Sequence, residues 1–418
     1  MKLFARIALG VSLFALAATS AAAQDKTFRI WWFASADSAQ GIGFAKALEE
    51  FKASHPDVTV QFELKTFEQI VKSGNMILNS DQAPDLTEYN KGNGVAGLAA
   101  SQGLLSNLED VAKQRGWNRV LNDANTQLGR YDSNGIYGSG PLVGIPSYGE
   151  FVSIFYNKKM FDQYQLKVPT TLEELESVMG VFASKGITPM TTSGNGYGVQ
   201  QLTYSIALSK ASPEWVANFQ GQKAPLDVAP LVYAGRKIQE WVSKGYLSKD
   251  DIAIKPDDMA LQFSSGKSPM VLTGTWFSTR FSKLDFPTGK FLFPGATIVP
   301  ASTGNILIVP KNARNKELAY EFIDLVLGQE IQTVMANNGG IPLAADPANI
   351  TDPLGKQDVA IFDEIVKRNG LGFYPDWPVS GFYEAMLKAN QALMAGTVTP
   401  EEFAERLRKV YDDAQAEH

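Results

Sequence analysis

Between Phe28 and Tyr89 the chain switches repeatedly between two periodicities, and that alternation constrains the fold more than any other feature. Phe28-Arg29-Ile30-Trp31-Trp32-Phe33 is a short run of strand-favouring residues. Ile42 to Ser54 then carries Phe44, Leu48 and Phe51 at helical spacing, until His55-Pro56 stops it. Val58 to Leu64 reads Val-Thr-Val-Gln-Phe-Glu-Leu, apolar and polar in alternation. Phe67 to Leu78 is helical again and ends in a turn at 81–84, before a third short strand at Leu86 to Tyr89. Strand–helix–strand–helix–strand specifies a parallel sheet with crossover helices.

The same rhythm continues downstream. Strands are expected at Val152–Tyr156, Ile187–Met190, Met270–Leu272 and Ile306–Val309, and helices at 171–184, 229–243, 316–336 and 380–395. A last helix opens on Thr399 as N-cap, with Pro400 in the first turn and Glu402 three residues on; Thr171 and Glu174 repeat the pattern. There is no internal repeat, low-complexity block or Ser/Gly linker. At 418 residues the chain suggests two or three domains, here closely connected α/β lobes.

The N-terminal 23 residues have the three parts of a secretory signal. Lys2 and Arg6 give a basic start, Ile7 to Ala17 an apolar stretch, and Ser20-Ala21-Ala22-Ala23 a small-residue end, so cleavage is expected after Ala23. The apolar stretch is shorter than the ~20 residues of a membrane span. Cleavage would lower Lys+Arg from 38 to 36 against 44 Asp+Glu, a net charge of −8. That balance, with no basic run, argues against nucleic acid as a partner. With no cysteine, thiol catalysis, disulfides, thiolate metal sites and a lipidated N-terminal cysteine are all excluded. The expectation is an exported, soluble protein of a bacterial periplasm or exterior.

Gly92-Asn93-Gly94-Val95-Ala96-Gly97 fits G-x-G-x-x-G after a strand, but no acidic residue ends a strand about twenty positions later to hold a ribose. It reads instead as a flexible turn opening onto a cleft, and no cofactor is expected. There is no G-x-S-x-G elbow, Walker A sequence or H-E-x-x-H. The two histidines, His55 and the terminal His418, suit neither a triad nor a metal, and no metal site is expected. An exported glycoside-processing enzyme stays open, since paired carboxylates leave no spacing signature.

Several aromatic rings stand where core rings are unusual. Tyr148 lies in Pro146-Ser147-Tyr148-Gly149-Glu150, Tyr197 in Gly194-Asn195-Gly196-Tyr197-Gly198, Trp276 directly after Thr273-Gly274-Thr275, and Trp377 in Tyr374-Pro375-Asp376-Trp377-Pro378. Taken singly, each is as well explained by packing. Together, rings at loop tips beside Asp, Glu, Asn and Ser suit a flat apolar ligand face with hydroxyls around its rim, as a sugar has.

With these residues the chain resembles the family 1 bacterial extracellular solute-binding proteins, the sugar receptors of ATP-driven importers. The pieces run in family order over the whole chain beyond the signal. They are Ile30-Trp31-Trp32, then Phe44 to Phe51 followed by His55-Pro56-Asp57-Val58-Thr59-Val60, and Ala83-Pro84-Asp85-Leu86. Gly144-Ile145-Pro146 leads into Phe155-Tyr156-Asn157-Lys158 and Pro169-Thr170-Thr171-Leu172-Glu173-Glu174-Leu175. Phe263-Ser264-Ser265-Gly266-Lys267-Ser268-Pro269-Met270 with Gly274-Thr275-Trp276, and Ile308-Val309-Pro310-Lys311-Asn312, complete the series.

The resemblance implies two discontinuous α/β lobes closing by a hinge on a ligand between them. The lobes would be 24–145 with 302–340, and 146–301 with 341–418, joined by crossings near Gly144–Glu150, Val299–Asn305 and Gly340–Leu343. It makes Trp276 a sugar-stacking ring, Tyr197 a second ring, and Glu150 the carboxylate that bonds hydroxyls. Less directly it points to Trp32 in the first strand, Ser35 and Asp37 after it, Asn90 after the third, Tyr148 and Asn305 at crossings, and Trp377 in preference to Phe382. Asp37 also reads as a helix cap. The implied function is non-catalytic capture of a carbohydrate by a monomeric periplasmic receptor, free of a lipid anchor, that delivers it to the importer's permease subunits. A polyamine, an amino-acid derivative or an anionic sugar would keep the fold and change the ligand. For an anion Arg280 or Arg130 could serve, although solvated surface positions suit both.

Overall fold

The computed structural model describes residues 26–416. The signal segment expected at 1–23 and His418 lie outside the described residues. The strands, numbered along the chain, are β1 (Thr27–Trp32), β2 (Thr59–Leu64), β3 (Leu86–Tyr89), β4 (Arg130–Tyr131), β5 (Tyr137–Leu142), β6 (Gly144–Pro146), β7 (Tyr148–Asn157), β8 (Met190–Thr191), β9 (Met270–Gly274), β10 (Thr288–Phe291), β11 (Ala301–Ser302), β12 (Ile306–Ile308) and β13 (Ile341–Pro342).

The expected β–α–β–α–β unit is present. The helix Ala39–Ser54 crosses from β1 to β2, and Phe67–Leu78 crosses from β2 to β3. β1 pairs in parallel with both strands, Ile30 lying opposite Phe62 and Leu86. Alternation along β1 puts Phe28, Ile30 and Trp32 on one face, and all three are buried in the first lobe's core with Phe44, Phe51 and Phe322. The helix Phe67–Leu78 starts where it does because Thr66 and Gln69 exchange a capping box, satisfying two otherwise unpaired N–H groups. The sheet order is β2-β1-β3-β12-β6, and β12 runs antiparallel to both neighbours. The first sheet is therefore mixed, because β12 enters it from the other lobe rather than over a crossover helix.

The second sheet runs β10-β7-β9-β8, with β7 antiparallel to β10 and β9. Its core joins Ile154, Phe182, Met190, Tyr204, Trp241 and Phe403. β7 is longer than the sequence suggests. Ser147 and Gly149 read as loop residues, yet Tyr148 to Phe151 are already extended and pair with β13 and β11. The expected strand at Ile187–Met190 shrinks to β8, and the long helix 316–336 is divided at Gly328 into Lys316–Leu327 and Gln329–Ala336.

The chain passes between the sheets three times: from β6 to β7, from β11 to β12, and from the helix Gln329–Ala336 to β13. The first residues of β7 gather the crossings, with Ser302 opposite Glu150 and Pro342 opposite Tyr148. A small core of Phe151, Val299, Ala301, Ile341, Phe362 and Ile365 fills the space beside them. The strand ends that carry the candidate site residues therefore open onto the seam between the two lobes.

Candidate functional site

At the buried end of the seam, β3 and the two residues after it deliver Glu88, Asn90 and Lys91, and β7 delivers Tyr148 and Glu150. Asn305 Nδ2 donates to the Tyr148 hydroxyl, which donates in turn to Glu88 Oε1, each at 3.0 Å. Glu88 Oε2 accepts the backbone N–H groups of Phe33 and Ala34 at 2.9 and 2.8 Å, fixing the chain as it leaves β1. Burial raises the Glu88 carboxyl, and these donors pull against that rise. Asn90 Nδ2 donates to Asp376 Oδ2 at 2.8 Å, tying β3 to a segment of the second lobe.

Lys91 and Glu150 are a buried pair of opposite charge. Lys91 Nζ donates to Thr303 Oγ1 at 2.5 Å, and Ser302 Oγ lies 3.5 Å from Glu150 Oε1. Burial pushes the lysine down and the glutamate up, while their mutual attraction opposes both shifts. A lysine with no exposed surface needs such a partner, because an isolated buried ammonium loses several kcal/mol of hydration.

The turn after Lys91 is not the flexible opening the sequence suggested. Gly92 sits at φ +91°, and a Cβ there would lie 2.6 Å from Trp377 Cβ; one on Gly94 would lie 2.3 Å from the Val379 carbonyl oxygen. Asn93 Nδ2 donates to the carbonyls of Gln220 and Pro378 at 2.8 and 3.2 Å, and the Gly94 N–H to that of Trp377 at 3.0 Å. Glycine lets backbone meet backbone across the seam, and the turn is buried and pinned.

Rings from both lobes line the seam. Phe67 of the first lobe meets Tyr197 and Tyr383 edge-on at 6.0 and 5.9 Å between centroids. Tyr197 meets Trp276 edge-on at 5.6 Å, and Trp276 lies 6.4 Å from Tyr374. The Trp276 indole N–H makes no well-formed hydrogen bond, although the Tyr197 hydroxyl is near enough to feel it.

At the open rim, Arg280 reaches across to Asp37, donating from Nε at 2.7 Å and Nη2 at 3.2 Å, while Nη1 holds Asp257 at 3.2 Å. Ser35 Oγ donates to Asp37 at 2.6 Å. Desolvation alone would raise the Asp37 carboxyl, but the guanidinium and the serine hydroxyl outweigh it and hold the group low. Lys72 and Glu384 form a second cross-seam pair at 3.0 Å.

The structure thus brings Ser35, Asp37, Asn90, Tyr148, Glu150, Tyr197, Trp276 and Asn305 to one seam. Two expected site residues are corrected. Trp32 lies in the first lobe's core between Phe44, Phe62 and Phe322, with 4% of its surface exposed, because it shares the inward face of β1. Trp377, 2% exposed, stacks on Phe373 and is covered by Gly92, so its ring packs the seam rather than offering an open platform. Phe382 is core as well. The helix cap is Ser38, whose hydroxyl accepts the Gly41 N–H at 3.0 Å, which frees Asp37 for Arg280. Arg280 is accordingly no solvated surface group, and Arg130 is held within the first lobe by Glu109.

Glu88, Lys91, Thr303 and Asp376 belong to the cluster and were not singled out from sequence. Glu88 and Lys91 stand in the run Asp85-Leu86-Thr87-Glu88-Tyr89-Asn90-Lys91, where nothing local marks either charge as buried. His55 bonds Glu321 beside the helix Lys316–Leu327 and takes no part. Rings, amide and hydroxyl donors, and buried carboxylates converge here, an arrangement equipped to hold a polar solute.

A model of the bacterial extracellular solute-binding proteins matches residues 35–333. A probable sugar-binding periplasmic protein of Rhizobium meliloti is 30% identical over 141 residues, covering 34% of this chain and 31% of the relative. One of Brucella suis is 26% identical over 279 residues, 62% of each chain. The chain thus aligns with 31% and 62% of these relatives' lengths. A solved structure from work on xylan utilization by the thermophilic bacterium Caldanaerobius polysaccharolyticus superposes with a TM-score of 0.78 at 21% identity, covering 92% of this chain and 99% of the other. Among the described residues, no helix is long and apolar enough to cross a membrane.

Proposed function

The chain belongs to the bacterial extracellular solute-binding proteins, and from that premise we propose that it captures a carbohydrate between its lobes and hands it to the permease of an ATP-driven importer. The observation that carries the reading is the convergence, from both sides of one seam, of the half-buried Trp276–Tyr197 pair with the Asn90 amide and the Asp376 carboxylate it bonds. Aromatic faces take the apolar C–H face of a sugar ring, and carboxylates and amides take its hydroxyls by strong hydrogen bonds. The sugar-binding names of the relatives support the same class of ligand.

In this reading the lobes are 24–145 with 302–340 and 146–301 with 341–418, and they move about the three crossings. A solute that touches both lobes favours the closed arrangement by its differential affinity for it, and that state is the one a permease would select. The protein acts as an exported monomer after loss of its signal segment, and it returns the sugar unchanged.

A thermal-shift screen of the protein lacking residues 1–23 against sugars, sugar acids, polyamines and amino acids tests this. A recognised sugar at ~100 times its dissociation constant stabilises the folded state by about 2.7 kcal/mol. Trp276→Ala should then weaken that sugar more than tenfold, about 1.4 kcal/mol or more, with melting in its absence nearly unchanged. A shift with polyamines or amino acids alone would replace the ligand class, and turnover of the sugar would replace the function.

A further inference from the structure

A pocket of about 210 Å³ lies within the seam, between the helix Phe67–Leu78 with the Gly94–Leu98 turn on one side and residues 376–384 on the other. Its scale suits one small ring, below the roughly 300–1,000 Å³ of drug-sized sites. Its walls are unevenly provided. Asn75 Oδ1 is occupied by the Tyr89 hydroxyl at 2.7 Å, and Lys72 is matched by Glu384 at 3.0 Å. Asp376 and Tyr383 are different. Asp376 is 8% exposed, and among the described residues Asn90 Nδ2 is the one side chain that donates to it. Tyr383 is 4% exposed, and its hydroxyl has no hydrogen-bond partner among the described residues. Burial pushes the Asp376 carboxyl up to about 6, the mark of a charge short of donors. Leaving a buried polar group unpaired is destabilising, so such groups in a lined pocket await a ligand's partners.

Charge decides what kind. With Lys72 and Glu384 cancelling, Asp376 leaves the pocket walls net negative. The cations elsewhere in the seam are taken as well: Lys91 faces Glu150, and Arg280 is held by Asp37 and Asp257. A carboxylate entering here would meet a buried carboxylate and no free cation.

We infer that this pocket receives a neutral, hydroxyl-rich ring of the solute, with Asp376 as the residue that refuses anionic sugars and the Tyr383 hydroxyl as a second contact. The inference rests on the carbohydrate reading above and narrows it, setting aside the sugar acids that the sequence left open. Hydroxyls donate to the carboxylate, whereas a uronate brings like charge into a water-poor site.

The test is calorimetric titration at pH 7.5 with glucose and glucuronate, galactose and galacturonate, and maltose and maltobionate. For the recognised pair, the neutral member should bind at least tenfold tighter than its acid. Asp376→Asn, which keeps shape and a side-chain carbonyl for Asn90, should narrow that gap at least fivefold. Tyr383→Phe should weaken the neutral sugar severalfold and leave the gap as it was. An acid that binds wild type as tightly as its neutral partner, a gap unmoved in Asp376→Asn, or a Tyr383→Phe variant indistinguishable from wild type would each overturn the inference while leaving sugar capture intact. If none of the six binds, the sugar found in the thermal-shift screen and its own sugar acid take their place, and no shift with any sugar in that screen would overturn both.

Discussion

The two ends of the seam use charge in opposite ways. At the crossing strands, Lys91, Glu150 and Glu88 are sealed from solvent, each answered by fixed donors or by another charge. At the rim, Arg280 and Asp37 keep 27% and 49% of their side chains exposed, and Lys72 and Glu384 keep 51% and 38%. Water can reach every contact at the rim, and none at the crossings. The buried cluster is held by its own partners, whereas under the proposed closure the rim pairs would form and break. The same chemical pairing has different consequences because the local dielectric differs.

The comparison breaks most readily at Lys91. Lys91→Ala leaves Glu150 without its countercharge and Thr303 without its donor, a loss of about 3–5 kcal/mol for one half of a buried pair. Denaturant titration should record it. The double variant Lys91→Met, Glu150→Gln should regain much of the loss, since no uncompensated charge remains; a double variant as weak as the single would show that shape rather than charge holds this end. Next in size is Gly92→Ala. It places a side chain at φ +91° and 2.6 Å from Trp377, so strain and collision together cost about 1–3 kcal/mol. Because that collision is between lobes, scattering should show the variant more extended than wild type. A lower melting point at unchanged dimensions would place the strain within one lobe instead.

Much of the architecture was legible because local signals agreed. The helices Phe67–Leu78 and Ala229–Ser243 and the strand β3 fall where apolar period and capping residues put them. The site was harder. Ring identity without the face of the strand misled at Trp32: Phe28, Ile30 and Trp32 share a face by alternation alone, and that face is core. Trp377 sits between Pro and Asp like a loop-tip ring, and only the glycines of a segment almost 300 residues earlier, packed over it, reveal its place. Lys91 and Glu88 could not be chosen from sequence, because a charged residue is ordinarily solvated and their burial is created by the other lobe. Long-range pairing of this kind is set by topology and leaves no local period.

The rim supplies the smaller effects. Arg280→Ala should change unfolding free energy by roughly 1 kcal/mol or less, as partly exposed pairs do. Its mark should be on sugar affinity: wild-type binding should weaken as salt rises from low ionic strength, and the variant should lose most of that dependence. A double cycle with Asp37→Ala assigns the coupling to this pair, and full additivity would remove the rim from the closing energy.

The smallest effect separates two buried aspartates that titrate alike in different places. Burial raises both Asp376, in the seam, and Asp251, which accepts the Thr192 N–H inside the second lobe, from 3.8 to about 6. A carboxyl raised in the folded state binds its proton more readily folded than unfolded, so each group favours folding increasingly as pH falls from above 6 toward 4. Between pH 7.5 and 5.5 the gain is about 0.5–1 kcal/mol per group, seen as the difference between wild type and Asp376→Asn or Asp251→Asn. Sugar should tell them apart. A ligand that donates hydroxyls to ionised Asp376 stabilises the charged form, so saturating neutral sugar should erase the Asp376 contribution and leave that of Asp251. Equal persistence of both in the presence of sugar would mean that Asp376, like Asp251, only serves the fold.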